Sequence, residues 1–321
     1  MPPSHPARAP RESRESFEDA LRGLEEGRLG PARALALLRE EPPAAGNGRE
    51  ARVAAVLQEL DGLVGLRQVK ELVRELHAFV EVRRRRAEAG LATDPLALHM
   101  VFRGNPGTGK TTIARLLGRL FREMDVLAKG HLVEVERADL VGEYIGHTAQ
   151  KTREQIRRAL DGILFIDEAY SLARGGEKDF GKEAIDTLVR AMENHRDNLI
   201  LILAGYNDEM EYFLRTNPGL RSRFPIQIDF PDYSVGELMR IADLMLQKRQ
   251  YRFAEDARAK LEEILRAPEN QRLLSTGNAR LTRNIIERAI RRQALRLVQQ
   301  PTTTVEDLMT IRAVDLIGVL P

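Results

Sequence analysis

From Leu98 onward, short apolar runs alternate with stripes of apolar residues at helical spacing. The runs Leu98–Phe102, His131–Glu136, Gly162–Ile166, Asn198–Ala204 and Pro225–Phe230 read as buried strands. Between them, Ile113, Leu116, Leu117, Leu120 and Phe121 share one face of a helix, and Ala149–Leu160 and Lys182–Asn194 supply two more helices. This alternation predicts an α/β fold with a five-stranded parallel sheet and crossover helices. Upstream, Val69, Leu72, Val73, Leu76, Phe79 and Val80 predict an amphipathic helix that stops at Gly90. After Pro231 the period changes. Ser234 and Glu237 form a capping box, and helical patterns follow at Val235–Gln247, Asp256–Leu265 and Arg283–Val298. The expected organisation is a mobile Pro-, Arg- and Glu-rich tail over 1–48, with at most a short helix near Ala32–Arg39, an α/β domain over 49–231 and an all-helical domain over 232–321.

Composition narrows the chemistry. A hydrophobic fraction of 43% with 31% charged residues fits a globular chain. No apolar run reaches the roughly 20 residues that span a bilayer, and the N-terminus lacks the apolar core of a signal peptide, so a cytoplasmic protein without a membrane segment is expected. There is no cysteine, which removes disulfides, thiolate metal sites and thiol nucleophiles. His5, His77, His99, His131, His147 and His195 fall in no ligand spacing, so the expected metal is Mg²⁺ arriving with a nucleotide. The net charge of +2 makes no case for nucleic acid as a partner. Arg83–Arg86 and the set Arg288, Arg291, Arg292 and Arg296 read as solvated helix faces.

The first motif with chemistry is Gly104-Asn105-Pro106-Gly107-Thr108-Gly109-Lys110-Thr111, which fits the phosphate-binding pattern G-x-x-x-x-G-K-[ST]. Glycines let backbone N–H groups close around phosphate oxygens, and the helix that starts near Lys110 directs its positive end at the same place. Lys110 is expected to reach the β- and γ-phosphates, Thr112 to line the nucleotide with the loop, and the Thr111 hydroxyl to ligate Mg²⁺. The second motif is Ile163–Glu168, a strand that ends in two carboxylates. Asp167 is placed to hold Mg²⁺, and Glu168 to orient or deprotonate the attacking water. A further buried strand ends at Gly205-Tyr206-Asn207, where the Asn207 amide could hold water or sense a γ-phosphate; a turn asparagine is the competing reading.

With both motifs and the helical segment, the chain resembles the P-loop NTPases of the AAA+ class, and within it the CbxX/CfqX-like ATPases. The similar stretches are Phe102–Thr112, Val141–Ala149, Leu164–Tyr170, Leu203–Tyr206, Asn217–Phe224 and Phe230–Ser234, so the resemblance runs from about Gln58 to the C-terminus. Ala128–Asp139, Ser171–Val189 and Asp307–Ile311 are similar to the sporulation branch of that group rather than to its Rubisco-activating branch. The resemblance implies a five-stranded α/β nucleotide domain with a C-terminal all-α lid, and ATP and Mg²⁺ as cofactors. It also implies roles for particular residues: Arg223 as an arginine finger entering a neighbouring subunit, Arg280 as a lid arginine on the γ-phosphate, Asn207 as the polar residue after the fourth strand, and Val64-Gly65 as backbone around adenine. For each arginine a surface ion pair is the competing reading. Tyr206 departs from the smaller residue usual before Asn207.

Tyr144-Ile145-Gly146 occupies the place where ring remodelers carry a pore-lining aromatic triplet; an aromatic packed under its own loop is the alternative. The implied protein is an ATP-hydrolysing remodeling motor, a ring homo-oligomer expected as a hexamer, acting on a protein substrate in the mother cell of a spore-forming bacterium. The alternatives are an activase of an inhibited metabolic enzyme and a nucleotide-gated assembly scaffold. Glu168 speaks against the scaffold, and Tyr144 for threading.

Overall fold

A computed structural model describes residues 45–93, 97–144, 146–174 and 180–320. A division falls after Arg52, and the architecture below belongs to the unit Val53–Pro321. The helix expected near Ala32–Arg39 lies outside the described residues, as does Ile145.

Helix α1 (Ala45–Asp61) spans that division, and α2 (Arg67–Glu88) follows after a tight turn. Then come β1 (Met100–Gly104), α3 (Lys110–Glu123), β2 (Leu132–Val135), α4 (Arg137–Leu140), α5 (His147–Ala159), β3 (Gly162–Ile166), α6 (Gly181–Asn194) and β4 (Leu199–Gly205). Helices α7 (Asn207–Thr216) and α8 (Pro218–Arg221) lead into β5 (Ile226–Phe230). All pairings in this sheet are parallel, in the order β2-β3-β4-β1-β5. The expected α/β architecture is therefore present, and the alternation along β3 shows why it is stable. Ile163 and Phe165 face a core shared with α2 and α3, while Leu164 and Ile166 face a second core shared with α5, α6 and α7. Both faces of the sheet are covered.

Beyond β5 lie α9 (Val235–Gln247), β6 (Arg252–Phe253), α10 (Glu255–Arg266), α11 (Gln271–Val298), α12 (Val305–Met309) and β7 (Thr310–Ile311). They pack around a third core that includes Leu238, Leu261, Ile285, Ile286 and Ile311. The capping box on α9 is formed: Ser234 Oγ accepts from the Glu237 N–H at 3.3 Å and Glu237 returns to the Ser234 N–H at 2.8 Å.

Three features depart from the sequence pattern. Helix α11 begins at Gln271 rather than Arg283: a kink at Asn278 joins a first stretch to the regular one that follows. The short parallel pair β6–β7 carries too few residues to show alternation. Phe79 is 57% exposed, although it was expected on the buried face of α2. At about 100° per residue it lies roughly 80° from the seam that Val69, Val73, Leu76 and Val80 bury. Gly90 does end α2, with φ 71°. In the basic clusters, Arg84 and Arg85 pair with Glu81, Arg296 pairs with the buried Asp315, and Arg288 donates to the Val319 carbonyl.

One buried histidine ties fold to pH. His99, just before β1, accepts the Leu201 N–H on Nδ1 at 3.1 Å, and burial pushes its pKa down to about 4. An unfolded chain binds that proton at about 6.5. Between these values the unfolded state holds more protons, so stability rises with pH through the window and is lost as pH falls. The loss from pH 7 to pH 4 is up to about 3 kcal/mol. His99→Asn, which keeps an acceptor but does not titrate, is expected to flatten this part of a melting-temperature profile. An unchanged slope between pH 6.5 and 4 would contradict the assignment.

Candidate nucleotide site

The chain from Gly104 to Lys110 leaves the C-terminal end of β1 and turns into α3. Gly109 caps α3 at φ 101° without any side-chain bond, so the first amides of α3 are left to a ligand. Gly107, at φ 75°, lies against α11, and any side chain there would meet the Gly277 carbonyl and the backbone of Arg280. The loop holds itself in shape: Thr108 Oγ1 donates to the Asn105 carbonyl at 2.7 Å. Lys110 Nζ donates across it to the carbonyls of Gly104 (2.7 Å) and Asn105 (2.9 Å). Burial pushes the Lys110 pKa below its usual range; Asp167, Asp232 and Glu168 pull it up, and Arg280 adds to the fall. An ammonium that is partly stripped of water and bonded only to neutral carbonyls is a strong site for phosphate.

Thr111 is half-buried and Thr112 exposed in the first turn of α3. Two strands away, β3 delivers Asp167 and Glu168 to the same edge of the sheet. Asp167 Oδ1 accepts the Glu168 N–H at 3.0 Å. Glu168 is exposed and adopts φ 46°, ψ 43°, a left-handed conformation that costs a non-glycine residue about 1 kcal/mol or more. Between the two, β4 ends at Gly205, and Asn207 is the exposed first residue of α7, with the Tyr206 ring before it tilted against Tyr170 at 5.9 Å. A hydroxyl and carboxylates of this kind suit Mg²⁺, which keeps most of its waters and is bound with the triphosphate.

The turn Val64-Gly65-Leu66 reaches the loop from the other side. Leu66 would lie 3.4 Å from a side chain on Gly109, and Gly65 lies against Glu237 and Tyr233. Tyr233 was not a sequence candidate, although it lies in the similar stretch Phe230–Ser234. Its hydroxyl donates to the Thr108 carbonyl at 3.1 Å, and burial, then Glu237, push the phenol up to about 12. Arg280 is exposed just past the break in α11, and the Ala279 N–H donates to the Gly107 carbonyl at 3.3 Å. Lys110, Asp167, Glu168 and Arg280 thus gather at one place.

Arg223 does not join them. Parallel pairing sets Met100 opposite Ile226 and Gly104 opposite Phe230, so Arg223 precedes the start of β5 while the phosphate loop follows the end of β1. The strand between these edges is about 13 Å long. Arg223 donates to the Gly219 carbonyl at 2.9 Å and pairs with Glu193 at the end of α6. The ion pair is thus present within the chain.

Tyr144 is 66% exposed, with its ring edge-on to His147 at 5.4 Å. It is not packed beneath its loop. Gly146, exposed at φ 82°, starts α5, and the loop base is closed by the Gly142 N–H on Thr148 Oγ1 at 2.9 Å.

Comparison with known proteins identifies the arrangement. The family described as "ATPase family associated with various cellular activities (AAA)" matches residues 100–232, and the AAA lid domain matches residues 234–318. The chain belongs to the AAA ATPases. It is 58% identical over 260 residues to stage V sporulation protein K of Bacillus subtilis, covering 81% of each chain. It is 50% identical over 244 residues to protein CbbX of Cereibacter sphaeroides (75% of this chain, 78% of the relative). Ribulose bisphosphate carboxylase/oxygenase activase of Cyanidioschyzon merolae is 44% identical over 274 residues (84% and 92%). This AAA ATPase binds nucleotide and hydrolyses ATP. Among the described residues, no helix is long and apolar enough to cross a membrane.

Proposed function

We propose that this AAA ATPase works as a ring of identical subunits, expected as a hexamer, that uses Mg²⁺-ATP to remodel a protein. ATP binds between the sheet and the lid, with its phosphates on the backbone of Gly104–Thr112 and on Lys110. Thr111 and Asp167 hold Mg²⁺, which supplies charge neutralisation on the phosphates. Glu168 takes the proton of the attacking water, Asn207 holds that water, and Arg280 contacts the γ-phosphate from the lid. Adenine lies along Val64-Gly65.

The observation that carries the ring is the position of Arg223. Lying at the other end of the parallel strands from Lys110, it is placed away from its own site, and we take a neighbour's site as its target. Rings are the usual assembly of the family. The Glu193 pair holds the guanidinium at an exposed position, where its strength is modest and a γ-phosphate outcompetes it.

The biological reading is a cytoplasmic role in sporulation, within the mother cell. The 58% identity to stage V sporulation protein K, against 50% to CbbX and 44% to the activase, supports it over activation of a metabolic enzyme. Threading rests on Tyr144, with Ile145 and Gly146 beside it on the loop. Tyr144→Ala is expected to leave ATP binding, assembly and basal hydrolysis intact while removing remodeling. Each lost aromatic contact costs about 1 kcal/mol beyond its area, and several subunits present the same ring. Tyr144→Phe is expected to retain function, because the contact is apolar. A folded, ATP-hydrolysing Tyr144→Ala protein that supports normal sporulation would replace threading by a nucleotide-gated scaffold.

A further inference from the structure

Asn278 breaks α11 at φ 44°, ψ −130°, a region that residues other than glycine rarely enter. It is also 1% exposed, and its amide is fully bonded. Nδ2 shares its hydrogens among Asp232 Oδ1 (2.9 Å), the Ser275 carbonyl (3.1 Å) and the Pro106 carbonyl (3.3 Å). Oδ1 accepts the Tyr233 N–H at 3.0 Å. Asp232 in turn accepts Asn105 Nδ2 on both oxygens at 3.0 Å. One buried side chain therefore joins the phosphate loop, the connector after β5 and the lid helix. The break that it occupies also brings Ala279 onto the Gly107 carbonyl and sets Arg280 beside the loop.

Taking Gly104–Lys110 as the ATP site, we infer that Asn278, acting with Asp232, is a positioning residue that transmits occupancy of the phosphate loop to the lid and so places Arg280. Lys110 Nζ is bonded to the Gly104 and Asn105 carbonyls. A phosphate competes for that ammonium and changes the bonding of Asn105. Asn105 is tied to Asp232 and Pro106 to Asn278, so the change passes through hydrogen-bonded groups to the buried Asn278 and into α11. The strained backbone is the cost of putting an amide where glycine would fit more easily. A purely structural break would need only the glycine.

Asn278→Gly therefore separates the two roles, since glycine suits the backbone and deletes only the side-chain bonds. In the full chain, Asn278→Gly is expected to fold and to bind ADP within about threefold of the parent. Its kcat for ATP is expected to fall about 10- to 10²-fold, as for a misplaced catalytic group. Arg280→Ala is expected to lose kcat as well. The double variant should be no slower than the slower single, because one residue acts through the other. Asp232→Ala, on the exposed side of the network, should show the same loss and the same lack of additivity. Turnover at the parent rate in Asn278→Gly, losses that multiply with Arg280→Ala, or a silent Arg280→Ala would each overturn the inference. Should Asn278→Gly not fold, parent-like turnover in Asp232→Ala overturns it alone. Failure of the ATP-site reading looks different: Lys110→Ala would still bind and hydrolyse ATP.

Discussion

Lys110→Ala is expected to reduce ATP and ADP binding below detection. The Lys110 ammonium is the cation inside the loop, bonded to the Gly104 and Asn105 carbonyls and already partly desolvated. A triphosphate that enters finds a charge whose dehydration has been met by the fold. Without it the ligand's own charge is buried against neutral amides. Removing one partner of a buried ion pair costs about 3–5 kcal/mol, or about two to three and a half decades in Kd. The fold should survive, because α3 is anchored by Ile113, Leu117 and Phe121 rather than by the lysine. Lys110→Arg should not restore binding, since the wider guanidinium fork does not fit between two loop carbonyls. Calorimetric titration with ADP decides the matter. Unchanged affinity in a folded Lys110→Ala chain would refute the site.

The sheet was legible because its strands are buried on both faces. Gly162–Ile166 appears as an unbroken apolar run bounded by Asp161 and Asp167, and β3 has those limits. The phosphate loop and the acidic pair were legible because their chemistry is local: glycines, a lysine and two carboxylates adjacent in sequence. What escaped was contact between distant segments. Asn278 lies ahead of the helical pattern read from Arg283, two residues before Arg280, and nothing local marks it; only folding brings it to Asp232 and Pro106. Tyr233 likewise gains its meaning from the Thr108 carbonyl, far away in the chain. Helix α1 is a different case. Val53, Val56, Leu57 and Leu60 have helical spacing, yet the stripe is short and follows a Pro- and Gly-rich stretch, so the longer pattern from Val69 dominates. Phe79 lies one residue beyond the buried stripe of α2, where the helix face passes from core to solvent.

The largest kinetic effects belong to Glu168 and Arg223, and they should be separable by subunit. On the proposed assignment, Glu168→Gln removes the base that takes the proton of the attacking water, an expected loss of about 10²- to 10⁴-fold, while nucleotide binding remains. On the proposed assignment, Arg223→Ala removes the charge that meets the transferring phosphoryl, which in GTPases is worth about 10³- to 10⁵-fold. Each variant alone should be nearly inactive. In a mixed ring, a subunit with intact Glu168 can sit beside one with intact Arg223, and that interface holds a complete site. For random equimolar mixing, about a quarter of the interfaces are complete. The central claim is that hydrolysis is shared between neighbouring copies of this chain, and the mixing experiment tests it most directly. The two folded, inactive variants are combined, allowed to exchange subunits, and assayed for phosphate release from ATP. Turnover rising to about a quarter of the parent rate is the expected result. A mixture no faster than the sum of its inactive parts would place Arg223 outside the reaction and contradict the shared site.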